Sequence, residues 1–382
     1  MNYVLLSNPF KKGLQIVLIL LLGIAVLGNS TAYAAGLCVH PTGAGRCFTS
    51  IQAAVDAANS GERIIIRPGR YVEQVTILGK DLTLLGRTGV VVQAPAQMQD
   101  TLSLVAGVEG RPIILTAEAN VTIRDLVIDG ANSAENNPFL FGIVYINADG
   151  VISNNFVKNV GFGTPTLPII DEQPSYQGEG MLVVNFGATP RTVTIERNMI
   201  VNYNSSGITI FAQGLPEDPT LGSLTAHVLD NTVVGSGKNE ILGQWGIFYG
   251  AYENAQITGT LKGNRIRDLL TVNLFPSPGV GMATRLTTNV EISNNLFENV
   301  NMGLTASGWY TQVLENRFRK SDTGILLFAE DPDFGSAIGA MLDGNQFEHV
   351  AMDMMTGPGG MFGAAAKSAA AEESIQPKRL PR

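Results

Sequence analysis

One short pattern limits what this chain can fold into more than any other feature: an asparagine, any residue, then Val, Ile or Phe. It stands at Asn155-Phe-Val, Asn198-Met-Ile, Asn231-Thr-Val, Asn264-Arg-Ile, Asn295-Leu-Phe, Asn316-Arg-Phe and Asn345-Gln-Phe. Successive copies lie 21 to 43 residues apart, and Asp125-Leu-Val occupies the same frame one repeat earlier. Most copies follow alternating β-type residues, as in Val193-Thr-Ile195 and Val290-Glu-Ile292, and such alternation reads as strand. A second strand recurs in each unit and opens on glycine, as in Gly142-Ile-Val-Tyr-Ile, Gly207-Ile-Thr-Ile-Phe and Gly324-Ile-Leu-Leu-Phe.

No helical periodicity lies between these strands, so a parallel sheet joined by helices is excluded. A β-sandwich would not place one residue type in one frame seven times. An all-β parallel β-helix does, because each coil lays its strands on the coil below and the same position stacks on itself. The repeated asparagines are then expected at an inward bend, where each amide bonds those above and below. An open end of such a stack must be covered. Ser50 to Ala58 supplies a short N-terminal capping helix, with Ile51, Ala54, Val55 and Ala58 on one face.

The two ends of the chain differ from the repeat region. Lys11 and Lys12, an apolar and Gly run from Ile16 to Gly28, and Ala32-Tyr33-Ala34 have the layout of a signal peptide over 1–34. The run is too short for a membrane span, and Leu37 before Cys38 does not fit a lipoprotein site. The expectation is an exported protein with no membrane attachment after cleavage. The solenoid is expected over 35–356, followed by a Gly/Ala-rich disordered tail over 357–382. Loss of Lys11 and Lys12 takes the formal charge from −8 to −10, which argues against a nucleic-acid partner. In an oxidising compartment the close pair Cys38 and Cys47 is expected to form a disulfide.

The stretch Ser50-Ile-Gln-Ala-Ala-Val-Asp, Ile64-Ile-Ile66, Pro68-Gly-Arg-Tyr-Val-Glu73, Val75-Thr-Ile77 and Leu82-Thr-Leu-Leu-Gly86 resembles the opening of the pectin lyase-like superfamily. The asparagine repeats resemble its parallel β-helix repeats, and the resemblance covers roughly 37–356. It implies a right-handed coil and leaves function open among lyases, hydrolases, esterases, epimerases, tailspikes, adhesins and periplasmic accessory proteins. Pectin methylesterase chemistry does not fit: Pro138-Phe-Leu-Phe-Gly142 has Pro where the catalytic Asp belongs. The polygalacturonase motifs are absent, since Asn231-Thr-Val lacks its Asp.

Long turns bound the Gly-strand sheet, entering it at 161–179, 235–245 and 267–280 and leaving it at 212–223 and 329–339. Such insertions map to functional edges, so this sheet is expected to floor a groove. If the residue after each Gly points inward, Phe211, Phe248 and Phe328 point outward as stacking platforms for sugars, with Trp309 at the edge. Arg285 is the one charged residue that this register puts on the floor. Lyases of the superfamily commonly use an Arg as base with calcium, so Arg285, aided by Glu240 and Asp268, is the candidate catalytic set for β-elimination on an acidic polysaccharide. Glu330, Asp331 and Asp333 are the candidate calcium ligands. The expected function is binding, and cleavage or modification, of an acidic polysaccharide. The alternatives are a non-catalytic adhesion or structural module and a periplasmic accessory protein.

Overall fold

A computed structural model describes residues 36–103, 109–161, 178–213, 222–239, 243–252, 255–271, 279–328, 337 and 339–357. The expected leader and the tail beyond Gly357 lie outside these residues. The described chain winds as a right-handed parallel β-helix, from Leu37–Val39 to Met352–Gly357. A full coil has three strands. A leading strand, such as Arg191–Glu196, precedes the repeat asparagine; a middle strand, such as Met199–Tyr203, follows it; a trailing strand, such as Ser206–Gln213, carries the repeat glycine.

Leading strands stack into an eleven-stranded parallel sheet. Middle and trailing strands share one nineteen-stranded sheet, because Leu296–Trp309 and Arg317–Phe328 run through the second corner without a break. Among the described strands the single antiparallel pair is Leu102–Ser103 with the start of Glu109–Ala117.

The first corner is the same two residues long in seven successive coils. At Glu196–Met199, for example, only Arg197 and Asn198 separate the strands. The first corner residue is always left-handed: Asn154, Arg197, Asp230, Gly263, Asn294, Glu315 and Gly344 have φ between 53° and 68°. The second is the ladder asparagine. Asn231 donates from its backbone N–H (3.0 Å) and from Nδ2 (3.1 Å) to Asn264 Oδ1, and its Nδ2 also reaches the Ile195 carbonyl at 2.9 Å. Asn264 repeats the set toward Asn295 and the Val228 carbonyl, and the series runs from Asn155 to Asn345 without interruption. Inside the column every amide thus uses both donors and both acceptor sites.

Asp125 does not begin this column. The Leu126 N–H donates to Asn155 Oδ1, so Leu126 holds the ladder position and Asp125 (φ 61°) is the left-handed residue before it. A slip of one residue exchanges the faces of a strand: Ile128 is fully buried, and Val127 is the outward residue.

The third residue of each repeat fills the interior. Val157, Ile200, Val233, Ile266, Phe297 and Phe318 are all fully buried. Phe297, Phe318 and Phe347 stack face to face, with centroids 4.8 and 5.2 Å apart, the separation that parallel strand spacing imposes. At the N-terminal end the helix Ile51–Ala57 covers the open core with Ile51, Ala54 and Val55. Ser50 Oγ accepts from the Ala53 N–H, and the Glu73 carboxylate accepts from the N–H groups of Ile51 and Gln52 at 2.9 Å each. These bonds satisfy the first helical donors and place negative charge at the positive helix end. Cys38 and Cys47 form the expected disulfide, with a Cα–Cα distance of 4.7 Å.

Replacing Asn264 by Leu strands the Asn231 backbone N–H and Nδ2 and the Val228 carbonyl at one buried site. A loss of about 3 kcal/mol is expected in urea unfolding. Asn345→Leu, at the partly exposed end of the column, should cost clearly less. Equal losses would contradict the ladder as a cooperative buried element.

Candidate functional site

The trailing sheet alternates as expected. The residue after each repeat glycine, from Ile143 and Met181 to Leu304 and Ile325, is buried in the main core. Val144, Leu182, Thr209, Phe248, Ala283, Thr305 and Leu326 therefore form one outward column, aligned by strand register. Ile146, Val184, Phe211, Gly250 and Arg285 form the next, also in register.

This face is divided. In the first coils it is covered: Val144, Leu182 and Val184 join Leu102, Leu115 and Phe141 in a second apolar cluster outside the solenoid. Phe211 packs against that cluster, edge-to-face with Phe186 at 5.8 Å. It is thus part of the cover's packing instead of a free platform. Phe328 is 2% exposed, so it too offers no open face. Alternation tells which side of a strand a ring occupies but not what lies over it.

Beyond that cluster the floor stays closed, with Val280, Ala283, Thr305 and Leu326 at most 3% exposed, and within it one aromatic pair is half-buried. Trp245 and Phe248 meet edge-to-face with centroids 5.6 Å apart. Trp245 lies between Ser206 and Val280 in register, and Phe248 lies between Thr209 and Ala283. Gly250, itself buried, lies in the row that Arg285 continues on the next strand. Trp245 was not singled out by the sequence reading; its signal was its position immediately before a repeat glycine.

Glu179 occupies the Trp245 column two strands earlier, opposite Phe141 in register. It is 8% exposed, and its Oε2 has no hydrogen-bond partner. Burial pushes its carboxyl from the ordinary 4.5 up to about 7, with the Thr209 hydroxyl pulling in the opposite direction. It is a described floor group able to hold a proton near neutral pH. The nearby floor positions Ser206, Thr209, Trp245, Phe248, Val280 and Ala283 contain no carboxylate, so paired-carboxylate hydrolysis has no second acid there.

Asp268 belongs to the second corner. With φ 61° it is a left-handed residue within its strand Arg265–Thr271, four positions after the ladder asparagine, as Asn159, Asn202 and Asn299 are in their coils. It accepts from Asn299 Nδ2 at 2.8 Å and pairs with Arg267 at 2.7 Å. The structure thus gives Asp268 a place in a second, partly exposed polar ladder. The side chains of Arg285 and Trp309, and all of Glu240, Glu330, Asp331 and Asp333, lie outside the described residues. Among the described residues no group of three or more His, Cys, Asp or Glu could hold a metal.

No protein-family model matches the chain, and no curated protein matches it. Solved structures do. A GH136 lacto-N-biosidase from Eubacterium ramulus is similar over 80% of this chain and 65% of its own, at 10% identity and a TM-score of 0.45. ORF18 of Geobacillus virus E2 is similar over 81% of this chain and 58% of its own, at 11% identity and a TM-score of 0.46. An alginate lyase from Paenibacillus is similar over 78% of this chain and 95% of its own, at 12% identity and a TM-score of 0.40. The chain thus spans less than two thirds of the first two, and all three likenesses concern the fold.

The Glu179 carboxyl has a folded pKa above its unfolded value, so the folded state holds the extra proton. The stability this gives is complete below about pH 4.5 and declines as pH rises to about 7, by up to roughly 3 kcal/mol. Glu179→Gln should flatten that slope and raise the melting temperature at pH 8. An unchanged pH profile would contradict the assignment.

Proposed function

We propose that the protein is an exported carbohydrate-binding β-helix whose trailing sheet, at Trp245 and Phe248, receives a polysaccharide chain. The observation that carries this reading is the half-buried Trp245–Phe248 pair on the trailing sheet. Aromatic faces suit the apolar faces of pyranose rings. Export is supported by the Cys38–Cys47 disulfide. No described helix is long and apolar enough to cross a membrane.

An acidic polysaccharide is the preferred substrate class, and β-elimination is the second reading. The position of Arg285 supports it: its backbone continues the outward row of Phe211 and Gly250. In this reading Arg285 would take the proton α to a sugar carboxylate, the β C–O glycosidic bond would break as the C=C bond forms, and the proton would return to the leaving oxygen; Glu330, Asp331 and Asp333 would hold a calcium ion able to stabilise the carboxylate's developing charge.

Trp245→Ala and Phe248→Ala should each weaken polysaccharide binding at least fivefold in affinity electrophoresis across a glycan panel, with melting temperature little changed. Unchanged mobility shifts in both variants would remove the trailing sheet as the binding face. Release of unsaturated products from pectate or alginate, abolished in Arg285→Ala, would establish the lyase reading. Binding without product, by wild type in the presence of calcium, would place the protein among non-catalytic modules.

A further inference from the structure

The middle sheet also turns one face outward, and its composition changes along the axis. Beside Asn198 that face presents Met199 and Val201; beside Asn264 and Asn316 it presents Arg265, Arg267, Arg317 and Arg319. The intervening strand contributes Leu296 and Glu298, in register with both arginine pairs. A depression of about 330 Å³ opens at the first arginine pair, lined by Thr232, Arg265, Ile266, Arg267, Leu296 and Glu298, and Arg317 and Arg319 follow on the next strand beyond Leu296 and Glu298.

The four cations are not equivalent. Arg267 is neutralised by Asp268 at 2.7 Å, and Arg319 by Glu348 at 2.9 Å and Glu298 at 3.7 Å. Arg265 is exposed and has no ion-pair partner among the described residues. Arg317 bonds the neutral Gln346 amide oxygen, at 3.1 and 3.3 Å. The two arginines without a carboxylate therefore stand in one column, two strands apart, about 10 Å along the axis. Half-buried Leu296 lies between them.

We propose that this column is a second binding site, separate from the trailing sheet, which takes the carboxylates of an acidic polysaccharide on Arg265 and Arg317. Guanidinium groups hold carboxylates bidentately. Two such groups about 10 Å apart match carboxylates on alternate sugars of a ribbon-like polyuronate, whose intervening ring rests on Leu296. The same pattern disfavours nucleic acid. Duplex DNA carries a charge every 1.7 Å or so, and the row of Asp268, Glu298 and Glu348 beside the column would oppose so dense an anion. The formal charge of −8 opposes it further.

The test is calorimetric titration of the full protein with oligogalacturonate or oligomannuronate of six sugars, at low salt. Wild type, Arg265→Gln/Arg317→Gln and the same pair in a Trp245→Ala background are compared. The expected result is about tenfold weaker binding in the double variant, with the same fold-loss when Trp245 is absent. Failure at Trp245 alone bears on the trailing sheet and leaves this column standing. Affinity unchanged in the double variant, or no uronate binding by wild type, would overturn the proposal. So would equal affinity for neutral dextran oligomers or single-stranded DNA, and tighter binding of a sulfated glycan that the double variant loses would overturn the carboxylate assignment.

Discussion

A carboxamide has two donors and two acceptor sites, and burying it without partners is costly. The solenoid solves that problem by repetition: each buried asparagine completes the one before it and is completed by the one after. Its Oδ1 takes two bonds from the preceding corner, and its Nδ2 bridges a leading-strand carbonyl to the next amide. This works only if successive corners lie directly above one another at strand spacing. The left-handed residue before each asparagine makes the turn tight enough to do so, even where Arg197 or Glu315 must adopt a conformation that asparagine or glycine takes more easily.

Once corners are in register, the strands that follow them are too, apart from shifts at Val234/Gly237 and Thr284/Thr287, and the outer surface becomes a set of columns. A column's character then follows from a handful of side chains at one repeat position. On the trailing sheet the columns pass from a closed apolar cluster to the Trp245–Phe248 pair. On the middle sheet they pass from Met199 and Val201 to arginines, two of them free of carboxylates. Both faces share the ladder as a rigid ruler, so spacing along the axis is set by the backbone and not by side-chain choice. That suits a ligand that is itself a repeating polymer.

The fold was legible because one residue type in one frame is a strong signal, and alternation then gave the faces. The first repeat was misframed for a physical reason. Asp125-Leu-Val imitates the motif, but the ladder position there is the backbone N–H of Leu126, which any residue can supply. The left-handed corners were hidden because Asn, Asp, Gly, Arg and Glu all fill them. Phe211 and Phe328 were placed on the correct side of their strands, yet contacts from distant segments decide whether a ring there meets solvent. Asp268 looked like a wall carboxylate because its role as a corner residue depends on Asn299 in the coil above. The arginine column has no signal of its own in the sequence, because Arg265 and Arg317 are distant along the chain and only strand register through Leu296 brings them into one column.

The central claim is that the asparagine column is the continuous, cooperative spine of the molecule. Native-state hydrogen exchange of the backbone N–H groups of Asn198, Asn231, Asn264 and Asn295 tests it most directly. Each donates to a side-chain oxygen in the next coil and not to a backbone carbonyl, so protection there reports the ladder itself. The account predicts that these four amides exchange only through global unfolding, with free energies equal to that of the slowest core strands. Exchange of any central one at the rate of an unbonded, solvent-exposed amide would contradict it.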